Sequence, residues 1–484
     1  MSAPLIWIVF PGIVAGLLYI IRRWRGAINI IGILVAILLA ILAWRMPIGE
    51  SFSLAGLAAI KIDQSLFIFG RRFILEDNIR SILILIYLGV AFWFGGASVS
   101  DSDRLFVPVG LGMAALLTAA IAVEPFLFAA LIIEITALVS ILILSPPGSS
   151  KHRGALRFLT FQTMGMPLIL IAGWFLTGVE TDPSDTDLIL RVTALIGLGF
   201  ALFMAIFPFH SWIPILTEET HLYAAAFVFF IIPQAVSLFL LIFLSRLTWF
   251  SAAPTVFATI RIMGMLMVLI GGIWAAFQSH LGRIMGYAAM MEIGFALLAL
   301  SVLDPGFAAE GSDIVQGINL NTPLLGIFFA QFLPRLIGLA VWALALVIIR
   351  SRLGDLKFDA VQGGAYSLPI AAVSVVIATF SIAGMPLLAG FPVRVALYTA
   401  LVEQSLLITL LSLIGVAGLL FAGFRTLAIL LRKTELNGWH STEKRSQILL
   451  LIFGWIILII MGILPQFFLP ALTELAGIFG SPVP

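Results

Sequence analysis

Apolar residues run through this chain in long uninterrupted stretches, and polar residues are confined to the short segments between them. A helix needs about 20 mostly apolar residues to cross a bilayer. About fourteen such stretches can be laid out: 3–21, 26–45, 78–97, 104–122, 125–145, 156–178, 188–209, 222–245, 254–277, 284–303, 323–350, 366–390, 396–432 and 447–470. The pattern predicts an all-α integral membrane protein, a single polytopic domain over 1–484. The longest early connection, 46–77, mixes glycine, phenylalanine and charge, which suits a short hairpin or an interfacial segment.

Two stretches are interrupted alike. Gly197–Leu216 starts as a membrane helix, breaks at Pro208 and places His210 and Trp212 just beyond. Ser381–Arg394 breaks in the same manner much later. A proline inside a helix frees a carbonyl, and in lipid the freed group must find protein or a wet cavity. Paired breaks in corresponding halves point to a transport site. They suggest two inverted five-helix repeats, over 104–245 and 254–432, with the seventh and twelfth helices broken.

Composition narrows the class. The chain is 62% hydrophobic and 10% charged, against roughly 45–50% and 25% in soluble domains. Its net charge of +2 is spread over short loops with no basic stripe, so nucleic acid is not an expected partner. The absence of cysteine excludes disulfides and thiolate-held iron–sulfur or zinc centres. No phosphate loop, dinucleotide fingerprint or metal-ligand cluster is apparent, so no cofactor and no redox site is expected on this chain. The first apolar stretch lacks a clear cleavage site and reads as a retained helix. Lysine and arginine gather in the odd-numbered loops: Arg22, Arg23 and Arg25; Lys151, Arg153 and Arg157; Arg350, Arg352 and Lys357; Arg432, Lys433, Lys444 and Arg445. The loop after the sixth helix is acidic, with Glu180, Asp182, Asp185 and Asp187. This places both termini outside, with Lys61, Arg71 and Arg72 running against the scheme.

Ionisable residues at membrane depth need a reason, since burying one in lipid costs at least a few kcal/mol. Glu134 lies mid-helix, as a proton carrier or as a carboxyl held inside the bundle for structure. Glu124 precedes Pro125 near a helix start, where a carboxylate complements the helix dipole. Glu292 and Arg335 read either as parts of an ion path or as a buried pair joining the tenth and eleventh helices. Arg394 follows the second break, where it could also snorkel to an interface. Arginine keeps its charge at any accessible pH, so it can bias a carboxylate but not carry the proton. His210 is either a relay or a hydrogen-bonded cap. Gln162, Gln234 and Gln331 can hold water or bond helix to helix. His280 and Arg283 are expected on a solvated loop.

These residues resemble a family. PFHSWIP at 208–214 is similar to a PFHxWLP segment, GRIMGYAAMMEIGFALLAL at 282–300 to KRxLAYSSIxHxGY, and AGMPLLAGFPVR at 383–394 to AGxPPxxGFxGK. In this order they resemble the antiporter-like membrane subunits of respiratory complex I, relatives of Mrp cation/proton antiporter and membrane-bound hydrogenase subunits. The resemblance covers roughly 76–430. It implies a subunit of an NADH:quinone oxidoreductase-type complex in a bacterial inner membrane. Such a subunit works beside other membrane subunits and contributes to proton translocation coupled to electron transfer elsewhere. Glu134 falls on the family's fifth-helix glutamate, Arg335 on its eleventh-helix lysine, and Arg394 on its twelfth-helix lysine or glutamate. Phe203 and Gln234 stand where the family carries lysines, Glu292 and Gln331 where it carries histidines, and Ile215 where it carries aspartate. The departures leave a non-pumping structural paralogue, or a subunit of an antiporter or hydrogenase assembly, as rival readings.

Overall fold

The structure, a computed structural model, describes residues 2–52, 60–145, 152–181, 185–251, 253–307, 314–315, 318–319, 322–432, 440–473 and 475. Lys151, Asp182 and Lys433 of the charge count lie outside them. Among the described residues, eleven helices are long and apolar enough to cross a membrane, and twelve if one bent pair, Phe358–Tyr366 with Pro369–Ala383, is a single span. Two shorter apolar helices, Leu5–Ile20 and Phe106–Ala122, add to these. The chain is therefore an all-α membrane protein. It divides into two compact units: Met1–Ser150, Ala155–Met204 and Ile231–Ile242, and then Lys151–Gly154, Ala205–Phe230 and Phe243–Pro484.

The first unit opens on a π-helical turn, Leu5–Val9, that continues into α1 (Phe10–Ile20). Next come α2 (Arg25–Arg45), α3 (Arg80–Ala97), α4 (Phe106–Ala122) and α5 (Ala129–Leu144). They are followed by α6 (Arg153–Thr181) and α7 (Thr186–Phe203). The 46–77 connection is the expected hairpin: β1 (Ser51–Phe52) pairs with β2 (Ile60–Lys61), and β3 (Ser65–Ile68) with β4 (Arg71–Ile74). Phe69 and Gly70 turn it with φ of 48° and 73°, the double left-handed geometry of a tight hairpin turn. A third strand, β5 (Val123–Glu124), joins β4 with Glu124 opposite Arg72. Glu124 thus sits on a sheet edge two residues ahead of the helical span Phe126–Leu144, near a helix start as the sequence suggests. Polar side chains close the helix ends here. Arg80 donates to the Ala43 and Trp44 carbonyls at the end of α2, at 2.8 and 2.7 Å, where a cation meets the negative pole of the helix.

The second unit holds α8 (Trp212–Glu219), α9 (Leu222–Arg246, whose middle belongs to the first unit), α10 (Pro254–Phe277) and α11 (Leu281–Ser301). It continues with α12 (Thr322–Ala330), α13 (Phe332–Leu353), α14 (Pro369–Ala383), α15 (Gly390–Gln404), α16 (Leu406–Leu431) and α17 (Arg445–Ile463). Glycine lets backbones touch, which in lipid is a main source of helix association. At Gly264 an added Cβ would lie 2.9 Å from the Gly294 carbonyl oxygen, and at Gly418 one would lie 2.5 Å from that of Gly272. These contacts clamp α10 between α11 and α16.

Three boundaries differ from the sequence reading. The run 396–432 is two helices, because Ser405 is fully extended (φ −162°, ψ 106°) and its side chain caps α16 through the Ile408 amide. The run 323–350 is interrupted at Gln331, between α12 and α13. The seventh stretch ends at Phe203, five residues before Pro208, with Ala205 at φ 53°.

Candidate functional site

The second break builds a buried polar cluster. α14 ends at Ala383, and Gly384 takes φ 79°, a backbone that only glycine adopts freely. The chain then turns back into α15, and Arg394 packs its stem against Gly384, where a Cβ would lie 2.7 Å from Arg394 Cγ. The arginine head pairs with the Glu292 carboxylate of α11. It also donates to Gln331 Oε1 at 3.4 Å and to the Ile382 carbonyl at 3.5 Å, one of the acceptors freed by the break. Its guanidinium lies 3.4 Å from the Phe295 ring centre, a contact that gains strength where water is absent. Gln331 donates to the Phe295 carbonyl at 3.4 Å.

Arg335 joins the cluster from α13. Its Nη2 donates to the Phe229 carbonyl at 2.7 Å. That carbonyl is available because Pro233, four residues on in α9, has no N–H to offer it. Glu292, Arg335 and Arg394 are 2%, 3% and 5% exposed. With Gln331, Pro334, Ser381 and Val393 they line a cavity that leaves about 10 Å³ for the centre of a water molecule, room for about one. Arg335 Nε, Arg394 Nε and Ser381 Oγ are buried without a hydrogen-bond partner among the described residues.

One of the two sequence readings pairs Glu292 with Arg335; the structure gives the carboxylate to Arg394 instead. His210 is not among the cavity's lining residues. It sits on the 3₁₀ turn Phe209–Ser211, half-buried, with its ring stacked on Phe207 at 5.5 Å.

The first unit holds Glu134 and Gln234. Glu134 is buried in α5; its Oε1 accepts from the Thr163 hydroxyl of α6 at 2.7 Å, and its Oε2 has no hydrogen-bond partner among the described residues. None of the ion pairs among the described residues involves it. Both amide atoms of Gln234 are likewise buried without a partner among the described residues. Gln162 bonds to the protein: its Nε2 donates at 2.9 Å to the Phe203 carbonyl, the end of α7 at the first break. At both breaks, then, a buried polar side chain takes up a carbonyl that the helix end leaves open.

Two further groupings lie apart from these residues. Arg261 of α10 bonds Asp304 at 2.9 Å and the Ser301 carbonyl at 3.3 Å, fully buried. The signal was in plain view, since Arg261 is a cation inside an apolar run. His280, expected on a solvated loop, is 7% exposed. Two backbone bonds, Leu281 to Leu356 at 3.0 Å and Phe358 to Ser279 at 2.9 Å, bring the loop after α13 against it. Arg283, expected to be solvated, bonds Glu218 at 2.6 Å. Burial holds the His280 imidazole below its usual pKa, with Arg283 and Arg350 acting the same way and Glu218 and Asp355 opposing.

The family model described as "NADH:quinone oxidoreductase/Mrp antiporter, TM" matches residues 176–422. The NADH-quinone oxidoreductase subunit N of Pelagibacter ubique is 26% identical over 239 residues, 49% of this chain and 46% of the relative, so less than half of that relative's length is spanned. The subunit N of Rhodopseudomonas palustris is 25% identical over 429 residues, 86% of this chain and 85% of the relative. Among solved structures, a chain of the Mrp complex of Dietzia sp. superposes with a TM-score of 0.81 at 15% identity, over 100% of this chain and 98% of that one. The fold is shared with it.

Proposed function

The chain belongs to the NADH:quinone oxidoreductase/Mrp antiporter transmembrane family, and from that premise we propose that it is an antiporter-like membrane subunit of a complex I-type NADH:quinone oxidoreductase. In this role it moves protons while other subunits carry the electrons; the chain itself holds no redox cofactor. Its partners are the neighbouring membrane subunits of that complex and the lipid around them. The reading extends to about fourteen spans in two inverted repeats, in a bacterial inner membrane with both termini outside. The carbonyls taken up by Gln162 and Arg394 at the two breaks support the repeat.

One observation carries the functional reading. Two arginines and a glutamate are buried together at a helix break. Burying ions is costly, and a pair replaced by apolar side chains of similar size is often no less stable, so stability alone does not account for them. Glu134 supplies the proton-carrying carboxyl of the first unit, because among the described residues it has a hydroxyl partner and no ion-pair partner. Glu292, paired with Arg394, helps set the field through which a proton moves. Gln234, Gln331 and His210 extend the path with neutral or switchable groups. A second reading, a subunit that holds its place in the complex without conducting, is favoured by Phe203 and Gln234 at the family's lysine positions. Replacing Glu134 by Gln in the assembled complex separates the two. Proton translocation falls while quinone reduction persists if Glu134 carries protons; unchanged translocation leaves the structural reading. The likeness to the Mrp chain keeps a cation/proton antiporter assembly as a third reading, which co-purifying subunits would identify.

A further inference from the structure

We propose that the cavity at the second break is a binding site for one small monovalent anion of the halide class, with chloride as its natural occupant. The lining residues carry two guanidiniums, Arg335 and Arg394, against one carboxylate, Glu292, a surplus of one positive charge. Arginine in general keeps its charge at any accessible pH. A surplus charge in a low-dielectric interior is costly until a counter-charge meets it, and the Phe229 carbonyl offers Arg335 only a dipole. The buried atoms at the cavity left without partners among the described residues are all able to donate: Arg335 Nε, Arg394 Nε and Ser381 Oγ. An acceptor-only ion in the cavity offers such donors a partner and cancels the surplus; a water molecule leaves the charge. Room for about one water excludes phosphate and carboxylates.

The site lies within the proposed proton path, but the inference rests on charge and donors alone, so the two can fail separately. The test is saturable broadening of the ³⁵Cl NMR line by the purified full chain in nanodiscs of zwitterionic lipid, titrated with sodium chloride. Wild type should broaden the line, and bromide should compete. Ser381→Ala should weaken chloride binding about ten-fold, the loss expected for a hydrogen bond to an ion. Glu292→Gln should tighten it by at least about ten-fold, since it removes the one opposing charge; a misfolded variant would lose the signal, not gain affinity. Absent saturable broadening in wild type, equal affinity in all three proteins, or weaker binding in Glu292→Gln would each overturn the proposal. Intact chloride binding beside an unchanged proton yield in Glu134→Gln would remove the transport reading and leave this one standing.

Discussion

Neutralising Glu292 tests the physics of the cluster most sharply. Glu292→Gln removes the one carboxylate among the described lining residues and leaves Arg394 without its ion-pair partner. Breaking one side of a buried ion pair costs about 3–5 kcal/mol, because the remaining ion stays desolvated. Arg394 keeps its bond to Gln331 and the face of Phe295, which places the expected loss near the lower end, about 3 kcal/mol. That is roughly a hundred-fold shift of the unfolding equilibrium at about 1.4 kcal/mol per factor of ten. Glu292→Gln combined with Arg394→Gln removes both ions and should lose about 2 kcal/mol less than the sum of the two single variants, the coupling between the sites. The assay is reversible denaturant unfolding of the purified full chain in micelles, run on the four proteins of the cycle. A single variant within about 0.5 kcal/mol of wild type, or a double variant whose loss equals the sum of the singles, would refute the pairing.

Other outcomes follow from the same coordinates. Gly418→Ala drives a methyl into the Gly272 carbonyl and should cost about 1–3 kcal/mol as α10 and α16 are pushed apart. Gly16→Ala, with nothing within 4 Å, should be neutral or slightly stabilising in the same unfolding assay. His280, whose pKa is lowered by burial from 6.5, favours the fold in its neutral form. Stability is full above about pH 6.5 and falls as the pH drops towards the lowered folded value, since the unfolded chain then binds the proton first. Unfolding measured from pH 8 to 5 should show that slope in wild type and a flatter one in His280→Gln; equal slopes would contradict it. Glu134→Gln should lower the proton yield of the assembled complex without stopping quinone reduction, as read by paired proton and electron assays.

Much of the site could be read from single residues because lipid makes each buried charge conspicuous. Glu134, Glu292, Arg335, Arg394 and Gln331 all stand out against apolar runs, and all five are buried. Their pairing could not be read, since it depends on where the chain goes after the break. Gly384 and the return into α15 carry Arg394 to Glu292, and spacing along the sequence says nothing of that turn. Arg335 finds its acceptor through a proline in another helix, a long-range effect visible only once α9 and α13 are packed. His280 was misjudged because nothing local marks the loop after α13 as its cover. Ser405 splits the stretch 396–432 through a cap in an otherwise apolar run; the neighbouring Glu403 and Gln404 were the only local hint of that end.

The account turns on Arg335, which forms no ion pair among the described residues and donates to a backbone carbonyl. In the proposed function its field acts on a moving proton. The most direct test is the proton-to-electron ratio of the assembled complex carrying Arg335→Gln, with assembly and quinone reduction confirmed in the same preparation. The account predicts a lowered ratio with electron transfer retained. A ratio equal to wild type would contradict it.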